Sequence, residues 1–120
     1  MIITENFDSK EFVCKCGCGL NNIDPCIVNR LQVIRDIINK KIIIRSGSRC
    51  AKHNKYAGGT NKSYHLNGKA IDWTIEEDPI DLAIIVELYL LNWSGGFHYY
   101  KKENFVHVDM GPRRRWTKQK

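Results

Sequence analysis

Asp72 lies in the middle of the apolar run Ala70-Ile71-Asp72-Trp73-Thr74-Ile75, and no residue narrows the folding options of this chain more. Strand alternation places Ala70, Asp72 and Thr74 on one face and Ile71, Trp73 and Ile75 on the other. A carboxylate rarely enters a core without a cation or a hydrogen-bond network. The strand therefore needs one face packed on a core and a second face furnished with partners. Phe105-Val106-His107-Val108-Asp109-Met110-Gly111 follows the same pattern, with His107 and Asp109 alternating against Val106 and Val108. If the two polar faces adjoin, His65, Asp72 and His107 can meet at one point. Two imidazoles and one carboxylate with an open position form a common catalytic zinc shell. On the residues alone, a hydrogen-bonded structural His107 and an Asp72 satisfied by backbone or Lys69 are equally good readings.

The rest of the chain supplies a scaffold of ordinary design. Asp24-Pro25 combines an N-cap with a residue suited to the first helical turn. Ile27, Val28, Leu31, Ile34, Ile37 and Ile38 then recur at helical spacing, which predicts a helix to about residue 39. Ile42-Ile43-Ile44 reads as a buried strand ending at Ser46-Gly47. From Ser48 to Gly68 the pattern is irregular, with room for a short helical turn, and a long irregular segment in a compact domain is usually functional. Asp78-Pro79 repeats the helix-start signal, followed by Leu82, Ile85, Val86, Tyr89 and Leu90, with Gly95-Gly96 as its end. Phe97–Tyr100 and Phe105–Met110 predict a hairpin joined at Lys101–Asn104. The expected class is α+β: a small, mainly antiparallel sheet with helices packed on one face.

Composition bounds the function. A chain of 120 residues with 42% hydrophobic and 27% charged residues fits one soluble domain over residues 1–120. No apolar run approaches the ~20 residues of a membrane helix. The opening MIITENFDSKEF has no basic segment followed by an apolar stretch, so cytoplasmic synthesis without a signal peptide is expected. The net charge of +6 calls for an anionic partner. Nucleic acid is not favoured, because no recognised motif or interleaved aromatic groove accompanies Arg113-Arg114-Arg115. Five cysteines are an odd number, and three fall in Cys14-Lys15-Cys16-Gly17-Cys18. That spacing is tighter than the usual zinc knuckle. Mostly free thiols are expected, with a structural zinc assembled from these and Cys26 or Cys50 as the alternative.

The two polar-faced segments resemble the zinc D-alanyl-D-alanine carboxypeptidases and the related L-alanyl-D-glutamate endolysins, whose fold is shared with the Hedgehog signalling domain. The family's Ser-x-His-x-x-Gly-x-Ala-x-Asp motif is matched by Ser63, His65, Gly68, Ala70 and Asp72, and its later zinc histidine by His107. EFVCKCGCG, RSGSRCAKHN, Gly58-Gly59, Gly95-Gly96 and GPRRRW extend the likeness over nearly the whole chain, in order. The resemblance implies a Hedgehog/DD-peptidase-like fold and a monomeric zinc metallopeptidase that cuts peptidoglycan stem peptides, as a carboxypeptidase or an endolysin-type endopeptidase. It implies that His65, Asp72 and His107 hold Zn²⁺. Arg49 would stabilise the oxyanion or bind substrate carboxylate, and Ser63 would give the substrate carboxylate a hydrogen bond. A phage or prophage lysin acting at the bacterial cell wall fits this pattern.

One departure stands out. Many relatives place a general base in Glu-x-x-Trp-His, but position 104 here is Asn and position 106 is Val. An amide cannot take a proton from water. Asp109, on the His107 side of its strand, is the first candidate for the base, Glu103 the second and His98 the third. For Asp109 the alternative is support of the zinc histidine or pairing with an arginine of the 113–115 cluster. The missing glutamate also keeps open a non-catalytic, zinc-containing binding module for peptidoglycan or a protein partner.

Overall fold

A computed structural model describes residues 1–60, 62–76 and 93–115. The helix expected after Asp78 and the anchor Trp116 lie outside the described residues. The chain opens with a small hairpin of β1 (Ile2–Thr4) and β2 (Phe7–Asp8), followed by a 3₁₀ turn at Ser9–Phe12. Helix α1 (Pro25–Ile38) starts as its sequence demands: Asp24 accepts a hydrogen bond from the Cys26 N–H at 2.9 Å. It ends at Asn39, in the left-handed region at φ 52°.

Ile27, Val28, Leu31 and Ile34 of α1 are buried in one cluster with Ile42, Ile44, Ile71, Trp73, Ile75, Phe97, Val106 and Val108 of the sheet. Each aliphatic side chain so buried contributes about 1.5–3 kcal/mol. Ile37, expected in the same stripe, is 60% exposed. At about 100° per residue it falls outside the arc bounded by Ile34 and Val28. Gln32 is buried instead, and its amide holds Asn6 and Thr4 of the N-terminal hairpin.

The main sheet runs β3 (Ile42–Ser46), β4 (Ala70–Ile75), β6 (Phe105–Asp109), β5 (Gly96–Tyr100), β7 (Arg114–Arg115). All neighbours are antiparallel except β5 and β7. The hairpin expected at residues 97–110 is present as β5 and β6. The irregular stretch before β4 contains α2 (Ala51–Tyr56) and a 3₁₀ turn at Tyr64–Asn67. The class is α+β, as the residue pattern requires.

Register then builds a polar row across the sheet. Asp72 pairs with His107, and His107 with His98, so these three side chains stand on one face. Ser46 would face the core by simple alternation from Ile44. An irregularity between Ile44 and Ser46 pairs Ser46 with Asp72 instead, adding it to the same row.

Candidate metal centre

The 3₁₀ turn that carries His65 is fixed at both ends. The Ser63 hydroxyl accepts from the His65 N–H at 3.2 Å, and Gly68 closes the turn at φ 68°. His65 is 2% exposed, and its Nδ1 lies 2.8 Å from the Gly47 carbonyl oxygen. A carbonyl only accepts, so Nδ1 carries the proton and Nε2 of the neutral ring presents a lone pair. That Nε2 is buried without a hydrogen-bond partner, 3.3 Å from Oδ1 of Asp72.

His107 repeats this arrangement from the other side. Its Nε2 is 2.9 Å from Asp109 Oδ2 and its Nδ1 is 2.8 Å from the same Asp72 Oδ1. With Nε2–H donated to Asp109, Nδ1 also turns a lone pair toward Asp72. The His65 and His107 rings meet edge to face, with centroids 5.4 Å apart. One ligand atom from each of His65, Asp72 and His107 lies within 4.8 Å of the others. Three lone pairs facing one another repel unless a cation or proton sits among them, so the donor set fits a divalent metal.

The charges surrounding the cluster are themselves organised. Burial disfavours the Asp72 carboxylate, but its close approach to the His65 and His107 imidazoles outweighs it and holds its pKa well below the usual carboxylate range. Burial likewise works against a charged His107, yet Asp109 and Asp72 overcome it and raise the imidazole above its ordinary value. Arg49, 5% exposed, binds Asp72 Oδ2 at 3.1 Å, Ser46 Oγ at 3.0 Å and Asn54 Oδ1 at 3.3 Å. Its burial lowers the guanidinium pKa, and the Asp72 charge opposes that fall.

Asp109 is saturated. Its Oδ1 accepts from the backbone N–H groups of Gly96 at 3.0 Å and Gly111 at 2.9 Å. Its Oδ2 accepts from Arg114 at 2.6 Å as well as facing His107. Burial raises its pKa, but His107 and these N–H donors bring it below the ordinary value. The seat needs bare backbone: a Cβ on Gly96 would stand 2.5 Å from Asp109 Oδ2.

The cluster opens into a cavity of about 540 Å³, lined among others by Arg49, Ser63, Tyr64, Tyr100, Pro112 and Arg114. Glu103 is exposed in the turn between β5 and β6 and lines a smaller neighbouring cavity with Arg49 and Asp72. The Asn104 amide oxygen accepts from Tyr99 at 3.1 Å. The structure thus brings Arg49, Ser63, His65, Asp72, His107 and Asp109 to one cavity and leaves Glu103 at its neighbour. Asn54, buried against Arg49, was missed. The Gly58-Gly59 pair beyond it was its signal, since Gly59 packs on the Asn54 amide.

The sequence profile of the family described as Peptidase M15 matches residues 5–109. The chain belongs to the peptidase M15 family. Peptidases of this family are metal-dependent, in keeping with the donor set formed by His65, Asp72 and His107. Peptidoglycan L,D-endopeptidase MepK of Escherichia coli K12 is 35% identical over 104 residues, covering 81% of this chain and 56% of that protein. Probable peptidoglycan L,D-endopeptidase MepK of Haemophilus influenzae is 42% identical over 105 residues, covering 81% of this chain and 55% of that protein. A putative ankyrin repeat protein of Acanthamoeba polyphaga mimivirus is 26% identical over 83 residues, covering 69% of this chain and 25% of that protein. The chain thus spans about half the length of the curated MepK relatives it matches.

Proposed function

We propose that this chain is a zinc-dependent peptidoglycan endopeptidase acting on stem peptides at the bacterial cell wall, as a monomer. The observation that carries the reading is the convergence of the His65, Asp72 and His107 lone pairs at the floor of an open cavity. The names of the MepK relatives support an endopeptidase over a carboxypeptidase. The chain's charge of +6 suits an anionic polymer surface.

His65, Asp72 and His107 would hold the ion. Zinc, when bound, supplies Lewis-acid polarisation of the scissile carbonyl and acidifies water near neutral pH. The protein's own residues do the rest. Gly47 and Asp109 fix the tautomers of the two histidines, so that each aims its lone pair inward. Arg49 orients the second oxygen of Asp72 and lines the cavity, where its charge suits a developing oxyanion or a substrate carboxylate. Ser63 also lines the cavity, and its hydroxyl proton is available to a substrate carboxylate while its oxygen caps the turn.

Asp109, engaged by His107, Arg114 and two backbone N–H groups, acts in this reading as a positioning residue for His107 rather than as the base. Proton acceptance falls to Glu103, the exposed carboxylate at the adjoining cavity. The test is digestion of purified sacculi with wild type, His65→Ala and Glu103→Gln, with the new peptide ends identified by mass spectrometry. New carboxyl and amino ends released by cleavage of L,D peptide bonds, from wild type alone, support the reading. No product from wild type, with sacculus binding retained, would instead support the non-catalytic binding module, which the saturation of Asp109 favours.

A further inference from the structure

A second group of potential ligands lies apart from the histidines. The sulfurs of Cys14, Cys16, Cys18 and Cys50 all lie within 4.8 Å of one another. Cys14 and Cys16 are 3.5 Å apart and Cys16 and Cys50 3.6 Å. A disulfide would need about 2.05 Å. A tetrahedron of thiolates at the usual zinc–sulfur distance of about 2.3 Å has edges of about 3.8 Å, close to the separations seen.

The backbone explains how so tight a spacing achieves this. Residues 15–18 form consecutive turns, with Gly17 at φ 89° and Gly19 at φ 86°. The Cys14 N–H donates to the Leu20 carbonyl at 2.8 Å and closes the loop on itself. The three cysteines are thereby folded onto one side rather than splayed as in a strand. Cys50 comes from the N-cap of α2, 32 residues beyond Cys18, and completes the set. Backbone N–H groups point at the sulfurs: Cys50 N–H at Cys14 Sγ, 3.5 Å, and His53 N–H at Cys50 Sγ, 3.4 Å. Cys26, exposed in the first turn of α1, is not part of the group.

We propose that Cys14, Cys16, Cys18 and Cys50 bind a structural zinc ion, a closed four-thiolate site separate from the histidine cluster. It fastens the N-terminal loop to the start of α2, one residue beyond Arg49. This resolves the odd cysteine count into four ligands and one free thiol.

The test counts metal and thiols in the purified chain, independently of hydrolytic activity. Zinc per chain is measured for wild type and for Cys16→Ser/Cys18→Ser, each with and without His65→Ala. The cysteine substitutions are expected to remove about one equivalent in both backgrounds, so the result does not depend on the histidine site. In wild type, one thiol should react rapidly with a disulfide reagent and the other four only after chelation. Cobalt substitution should give an intense thiolate-to-metal charge-transfer band that survives His65→Ala. The last two measurements use the native cysteines and stand even if the double variant fails to fold. Zinc content unchanged by the cysteine substitutions, five thiols reactive without chelation, or a disulfide among these four in the native protein would each overturn the proposal.

Discussion

The histidine cluster and the cysteine cluster solve the same problem, gathering ligands around a point, by opposite means. His65, Asp72 and His107 come from a 3₁₀ turn and two strands, and sheet register sets two of them side by side. Each imidazole is aimed by a partner on its far nitrogen, and the group opens into a cavity. Cys14, Cys16 and Cys18 come from one five-residue loop, joined by a single distant residue. The four sulfurs would complete a coordination shell with no position left for substrate. In this reading the histidine centre borrows rigidity from the sheet, whereas the cysteine centre would supply it to the loop that carries three of its ligands.

The largest expected contrast is in turnover. His65→Ala should lower hydrolysis of sacculi by about a thousandfold or more, equivalent to about 4 kcal/mol of transition-state stabilisation, while the thiolate charge-transfer band of the cobalt form stays intact. Equal loss of both signals would mean that the two centres fold as one unit. Next in size is the contribution of Asp109. Asp109→Asn should weaken metal binding at the histidine site by about 10–100-fold, measured by chelator competition, without altering thiol protection.

Acidity offers a third comparison, made on metal-free protein. His107 has a raised pKa, so its interactions with Asp72 and Asp109 stabilise the fold fully below about pH 6.5 and are lost as pH rises through the raised folded value. Asp72 and Asp109 are held low, so their contributions are present above about pH 4 and lost as pH falls through their depressed values. Thermal melts after chelation should therefore weaken on the alkaline side, and His107→Gln should flatten that limb. The smallest effect is expected at Asp24, which caps α1 and pairs with the half-exposed Lys69. Asp24→Ala should cost about 1 kcal/mol, lowering the melting temperature by about 4 °C with the metal content of both centres unchanged.

Much of this was legible in the residues because the signals were local or strictly periodic. Asp24-Pro25 announced α1, and Ala70–Ile75 and Phe105–Asp109 alternate so regularly that their polar faces could be read directly. The convergence of His65, Asp72 and His107 became legible only with the family resemblance, since spacing cannot show which strands pair. What escaped depends on the third dimension. Strands β1 and β2, of three and two residues, are too short to leave a period. Pairing of Asp109 with the 113–115 arginines was an open alternative in the sequence, but that Arg114 is the partner relies on the chain returning to run parallel to β5. The inward turn of Ser46 comes from one irregularity in register. The cysteine cluster stood only as an alternative, with Cys26 or Cys50 as its fourth member, because Cys-x-Cys-x-Cys converges only when the loop adopts positive φ at Gly17 and Gly19.

The Gly95-Gly96 doublet, whose sequence pattern marks a helix end, also reserves space at Gly96. The volume a methyl group would occupy there is already held by both oxygens of Asp109, at 2.5 and 2.6 Å, and by the Arg114 guanidinium at 2.7 Å. A saturation library at position 96 should return glycine alone among variants that keep His107 in place. A stringent amino-acid requirement near this centre thus falls on a residue with no side chain.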